Sequence, residues 1–196
     1  FNIFYFLIKI YNSNKLNFVL LSNTIKDDIK NPISIDKIEL NFLFALISID
    51  KINIIEAVSY INKSLELSNN INYTIGIGKA YLLLSQIYLS NNGFIQYYDY
   101  YKSLEYARKS LEIFSSLKLA NNLVFESLKT LTRIELKRNN FRNASIYLED
   151  MKYLSEFLKN DYFKAITNEI EGNYLLKAKN LIKSPFFINK ALNYYE

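Results

Sequence analysis

Cysteine and histidine are both absent from the 196 residues. Their absence removes Cys/His zinc sites, the Ser-His-Asp triad, thiol nucleophiles, the usual haem ligands and disulfides. Most familiar catalysis goes with them, so a non-enzymatic protein without a cofactor is expected. A chain free of cysteine suits a reducing compartment, and a cytoplasmic location is the expectation. Glycine (4) and proline (2) are far below ordinary usage. Many short strands would need turn chemistry that this chain lacks, which leaves an all-α fold. Long apolar runs are missing too. The stretch Phe1 to Tyr11 is interrupted by Lys9 and is far short of the ~20 residues that cross a bilayer. No small-residue cleavage pattern follows it. It reads as a core helix of a chain that starts further upstream, with no membrane span.

What is present is hydrophobic, aromatic and mildly basic. Half the residues are apolar, with Tyr 17 and Phe 14, and the net charge is +5. That content argues for a folded core in one domain. Lysine is scattered through an Ile-, Asn- and Lys-rich text rather than gathered in one block, so compositional bias explains the charge better than selection for a polyanion.

One phrase recurs four times, a small residue followed three positions later by tyrosine: Ala57/Tyr60, Ser103/Tyr106, Ala144/Tyr147 and Ala191/Tyr194. An apolar residue stands three positions upstream of each pair (Ile54, Tyr100, Phe141, Ile188). Offsets of three, three and one trace one stripe of a helix, so one packing face is built four times. The small residue is where a neighbouring helix can approach closely. The intervals are 103−57 = 46, 144−103 = 41 and 191−144 = 47, each room for two helices and two turns, as in helical-hairpin arrays.

Apolar periodicity and Asn-rich breaks predict helices near 2–11, 15–29, 35–50, 53–68, 73–91, 96–117, 120–139, 141–159, 161–180 and 186–195. The breaks fall at Asn12-Ser13-Asn14, Asn31-Pro32, Asn69-Asn70, Asn91-Asn92-Gly93, Asn139-Asn140, Asn160-Asp161 and Ser184-Pro185. There Asn, Gly or Pro stops one helix and a polar residue can cap the next. A lone hairpin cannot bury its outer face, so the hairpins must stack.

Ala57-x-x-Tyr60-x-x-Lys63-Ser64-Leu65-Glu66 and Ser103-x-x-Tyr106-x-x-Lys109-Ser110-Leu111-Glu112 resemble the second helix of a tetratricopeptide repeat. Leu84-Ser85-x-x-Tyr88 and Gly172-Asn173-Tyr174-Leu175 resemble its first helix, and Arg138-Asn139-Asn140-Phe141-x-x-Ala144 the turn between them. The likeness covers roughly residues 36–196. It implies a right-handed α-solenoid of about four repeats continuing beyond both ends, with residues 1–35 packing on the array as an N-terminal helical segment. The intervals exceed the family's ~34 residues, so the repeats are of a long-helix type. Such repeats often accompany signalling kinases, nucleotide cyclases and regulatory ATPases. The resemblance therefore implies a scaffold in a regulatory or signalling protein, with a catalytic or DNA-binding domain elsewhere in the same chain.

Other motifs read as structure. Gly76-x-Gly78-Lys79 lacks the earlier glycine and following Ser/Thr of a phosphate loop, and it reads as flexibility at a helix start. Asp27/Asp28, Glu149/Asp150 and Glu169/Glu171 are too close in sequence to share a helix face, so they read as a solvated surface. Tyr97-Tyr98-Asp99-Tyr100-Tyr101 could stack bases, but only Lys102 is basic nearby, and core packing with an exposed ring or two fits better.

One constellation points outward. In tetratricopeptide arrays the first helix of each pair lines the concave surface. Lys129, Arg133 and Lys137 lie on one side of such a helix, opposite its apolar stripe, with Lys79 and Gln86 on the helix before it and Asn173 and Lys177 on the one after. An acidic peptide or a terminal carboxylate is the partner that this patch suggests. Two readings compete: a nucleic-acid-binding helical repeat, which would need a continuous basic stripe across three or more hairpins, and a purely structural spacer in a larger regulatory enzyme.

Overall fold

The computed structural model describes residues 34–90, 99–117, 121–179 and 183–195. These form eight α-helices and, among the described residues, no strand: α1 Ser34–Asp50, α2 Ile54–Asn70, α3 Thr74–Leu89, α4 Tyr100–Ser116, α5 Asn121–Lys137, α6 Phe141–Leu158, α7 Asp161–Lys177 and α8 Ser184–Tyr195. The helices expected at 2–11 and 15–29, the segment 1–35 but for its last two residues, and the breaks at 12–14, 31–32 and 91–93 lie outside the described residues.

Each helix packs on the next, most extensively within the pairs α1–α2, α3–α4, α5–α6 and α7–α8. Contacts that skip a helix join α1 to α3, α3 to α5 and α5 to α7. The odd-numbered helices are thus neighbours of one another. Buried side chains follow the same order rather than one centre. A first cluster includes Ile38, Ala57, Ile61 and Leu84 from α1 to α3. A second joins Leu89, Leu104, Ala107 and Leu131 from α3 to α5. A third gathers Phe125, Leu148, Met151 and Ile166 from α5 to α7.

The four small residues of the repeated phrase are all buried: Ala57, Ser103, Ala144 and Ala191. A hydroxyl often replaces a methyl where helices meet. Ser64 Oγ donates to the Ile38 carbonyl at 3.0 Å, Ser103 Oγ to Ser85 at 2.7 Å, and Ser184 Oγ to Gly172 at 2.9 Å. Each bond crosses a hairpin from its second helix to its first, so the short side chain both admits the neighbouring backbone and satisfies its own donor. The tyrosines three residues on are half-buried at Tyr60, Tyr106 and Tyr147, while Tyr194 is exposed.

Three of the turns share one geometry. Ile52, Asn72 and Asn139 adopt left-handed backbone, with φ of 61°, 55° and 56°. Each closes a Schellman turn in which the next residue donates to the carbonyl five positions back: Asn53 to Ser48, Tyr73 to Ser68 and Asn140 to Glu135. Asn53, Asn140 and Asn160 then cap the following helix with their side chains, and Asp99 caps α4. One asparagine thus ends one helix and starts the next.

Some boundaries differ from the sequence reading. Asn69 and Asn70 are the last two helical residues of α2 rather than the break itself, and Asn72 takes the left-handed position. Tyr100, not residue 96, opens α4, because Asp99 accepts from the amides of Tyr101 and Lys102. Ser184 and Pro185 belong to the first turn of α8, where proline's missing amide costs nothing. Gly76 and Gly78 are not a flexible start. Both are buried in α3, and a Cβ on Gly78 would stand 2.6 Å from the Phe114 ring, so hydrogen is what lets α4 approach. At Gly76 the Ser68 hydroxyl and the Tyr73 ring fill the same space.

Candidate functional site

An open groove of about 770 Å³ runs across α3, α5 and α7. Six of the seven residues singled out from the sequence line it: Gln86, Lys129, Arg133, Lys137, Asn173 and Lys177. They meet because the odd helices are mutual neighbours, so positions 47 and 40 residues apart (133−86 and 173−133) fall side by side. Lys79 is elsewhere. Its counterpart on α5 by that spacing is Glu126, two turns before Arg133. The Lys79 ammonium is held by both oxygens of Glu39 on α1 at 2.8 Å. The Tyr73 hydroxyl donates to the same carboxylate at 3.1 Å. Burial first, and then the charge and hydrogen bond of Glu39, pushes the Tyr73 phenol up to about 12.

The groove's cations are anchored in two ways. Lys129 pairs with Glu126 one turn back, and the Arg133 guanidinium reaches Glu169 on α7 at 3.4 Å. Both carboxylates offset charge locally, and Glu169 also ties α5 to α7. Lys137 Nζ instead donates to the Leu89 carbonyl at 3.0 Å, and Lys177 Nζ to the Leu136 carbonyl at 3.1 Å. Each lysine, the last residue of its helix, caps the C-terminal end of the preceding odd helix, where the backbone dipole favours a cation. At the α7 end lie tyrosines. Burial, and next the Glu126 carboxylate, raises the Tyr162 phenol above its ordinary value, while burial and then Glu169 do so for Tyr195.

Sequence reasoning missed the floor. Exposed Leu176 lines the groove between the polar positions, and the edges of Leu89 and Leu136, otherwise buried in the core, meet it. The signal was the recurring pair Leu136-Lys137 and Leu176-Lys177, with Leu89 at the matching place on α3. Glu149 is exposed as expected, but Glu171 is not part of a plain solvated face: its side chain is mostly covered and it binds Lys152 across from α7 to α6 at 2.8 Å, beside Glu149 at 3.0 Å. Asp27 and Asp28 lie outside the described residues, as do Tyr97 and Tyr98; Tyr101 of that cluster is exposed.

Chemically, the arrangement offers an apolar floor flanked by amide, guanidinium and ammonium donors. Among the described residues no three carboxylates gather as a metal site would need, and no helix is long and apolar enough to cross a membrane. No protein family, no curated protein and no solved structure matches the chain.

Proposed function

We propose that this chain is a non-catalytic scaffold, a right-handed tetratricopeptide-like α-solenoid whose concave surface is the row of odd helices. In this reading it binds an extended segment of another protein, or of a neighbouring domain, within a cytoplasmic regulatory or signalling assembly. The observation that carries the reading is the convergence of six outward polar residues from three separate helices on one open groove. The pairwise packing, the successive core clusters and the fourfold small-x-x-Tyr phrase support the array. A nucleic-acid role is disfavoured by the carboxylates Glu126 and Glu169, which interrupt the basic stripe within the groove's own length.

The test is selection of random twelve-residue peptides on the immobilised chain, followed by binding to an Arg133→Ala/Leu176→Asp double variant. Both side chains are exposed, so helicity by circular dichroism should be retained. Selected peptides that lose affinity for the variant at least tenfold support the groove. Failure to enrich any peptide, or equal binding to the variant, overturns it.

A further inference from the structure

We infer that two copies of this chain pair antiparallel through the outer face of α6, the Asp150 carboxylate of each copy accepting from the Tyr153 hydroxyl of the other. This surface shares no residue with the groove of α3, α5 and α7.

The face is apolar where water would be expected to select polar side chains. Ile146, Tyr153 and Phe157 are exposed by 55, 75 and 61%. With Asp150, also exposed, they follow one another at intervals of four, three and four residues. At about 100° per residue these four positions fall within a strip roughly 60° wide. The strip lies on the side of α6 away from its buried residues Ala144, Leu148, Met151 and Ser155. Alternating steps of four and three are the seam by which one helix packs along another. Single apolar residues are ordinary on a surface, whereas an aligned row of them marks a contact.

The order of the row selects its occupant. Steps of four, three and four read the same from either end, so a second α6 laid antiparallel sets the partner's Phe157 against Ile146 and the partner's Tyr153 against Asp150. The two-fold axis repeats both contacts. The chemistry matches at each layer: a ring meets an aliphatic side chain, and a phenol donor meets a carboxylate acceptor. Both polar groups are available for this. Glu149 is held by Lys152 at 3.0 Å and Glu156 by Lys164 at 3.4 Å, but neither Asp150 nor the Tyr153 hydroxyl has a side-chain partner among the described residues. A hollow of about 250 Å³ opens beside the row, bounded by Leu111 of α4, Val124 and Leu128 of α5, and Leu154. Asp150 is its one charged lining residue, so the partner's Tyr153 ring can enter with its hydroxyl at that carboxylate. A parallel pair would instead set Asp150 against the partner's Asp150, and like charge opposes it. One polar layer in an apolar seam thus fixes the direction of pairing. Glu149 and Glu156 border the row on one side, where Lys152 and Lys164 of the same chain offset their charge.

The experiment is sedimentation equilibrium of the full chain over a hundredfold range of concentration, in which the mass should rise from monomer toward dimer. Tyr153→Glu sets carboxylates face to face and should weaken association at least tenfold. The Asp150→Lys/Tyr153→Glu double variant sets an ammonium against each new carboxylate and should recover it. These side chains are exposed, so circular dichroism should match the parent. The chain has no cysteine, so cross-linking reads the direction without background. On mild oxidation, Ile146→Cys mixed with Phe157→Cys should form the mixed dimer at least tenfold faster than either variant alone forms its own. A parent that stays monomeric throughout, association unchanged in Tyr153→Glu, or like-with-like cross-links as fast as mixed ones would each overturn the antiparallel pair.

Discussion

Asn139, exposed and at φ 56°, joins α5 to α6, and replacing it tests the left-handed turn that also follows α1 and α2. Its amide donates to the Leu136 carbonyl, and the next amide, from Asn140, to Glu135 at 2.9 Å, so the bonds come from the backbone and survive any side-chain change. A left-handed conformation costs a residue with a Cβ roughly 1–2 kcal/mol, whereas glycine pays only about 0.5–1 kcal/mol of extra backbone entropy. Asn139→Gly should therefore be more stable than Asn139→Ala by roughly 0.75 kcal/mol, the difference of the midpoints of those two terms. The order should invert at Asn62, exposed in the interior of α2, where alanine is favoured over glycine by about 1 kcal/mol. Urea unfolding followed by circular dichroism gives all four values, and thermal melts should separate each pair by a few degrees, about 2–4 °C per kcal/mol for a chain of this size. Alanine equal to or better than glycine at 139 would refute the left-handed turn and the two-residue hinge built on it.

Three further outcomes are expected. Ala144→Leu should cost on the order of 1–3 kcal/mol, because Ala144 is fully buried where α6 meets its neighbours; an unchanged melting temperature would count against the repeat register. Gly78→Ala, favourable by helix propensity, should instead destabilise by about 1 kcal/mol, since the buried Phe114 ring occupies the methyl's place, and a stabilised variant would show that α3 and α4 are further apart. Tyr73 ionises at about 12 in the folded chain against 10.0 ordinarily. The folded state thus keeps its proton where the unfolded chain has lost it, and stability is full below pH 10 and falls as pH climbs toward 12. Tyr73→Phe should remove from an absorbance titration of phenolate a component near pH 12 and flatten the alkaline fall; a lost component near pH 10 would refute the raised value that burial and Glu39 give Tyr73.

Much of the architecture was legible because asparagine does two jobs in this chain. Asn139-Asn140 marks a boundary unmistakably, as one residue takes the left-handed turn and the other the cap. Asn69-Asn70 misled for the same reason: asparagine is also tolerated in a helix, and the backbone chose Asn72 for the turn. Gly76 and Gly78 could not be told from a flexible start without knowing that Ser68 and Phe114 face them from other helices. In the groove, side-by-side placement of α3, α5 and α7 followed from hairpin stacking, so the polar positions could be picked out by spacing. Their anchors could not: Glu169 and the carbonyls of Leu89 and Leu136 lie 36 to 48 residues from the cations they hold. Lys79 shows the cost, since it sits on the right helix but two turns too early, beside Glu39.

The central claim is that α3, α5 and α7 lie side by side with equivalent residues in line. The chain has no cysteine, so spin labels can be placed at Gln86→Cys and Asn173→Cys without background. Two interhelix steps of about 8–10 Å put these positions roughly 20 Å apart before the label arms are added. Double electron–electron resonance should then show one narrow distribution in the range of about 15–30 Å, unchanged when both labels move one helical turn along, to Ser90 and Lys177. A broad distribution, or a distance well beyond about 35 Å, would contradict the alignment and remove the groove with it.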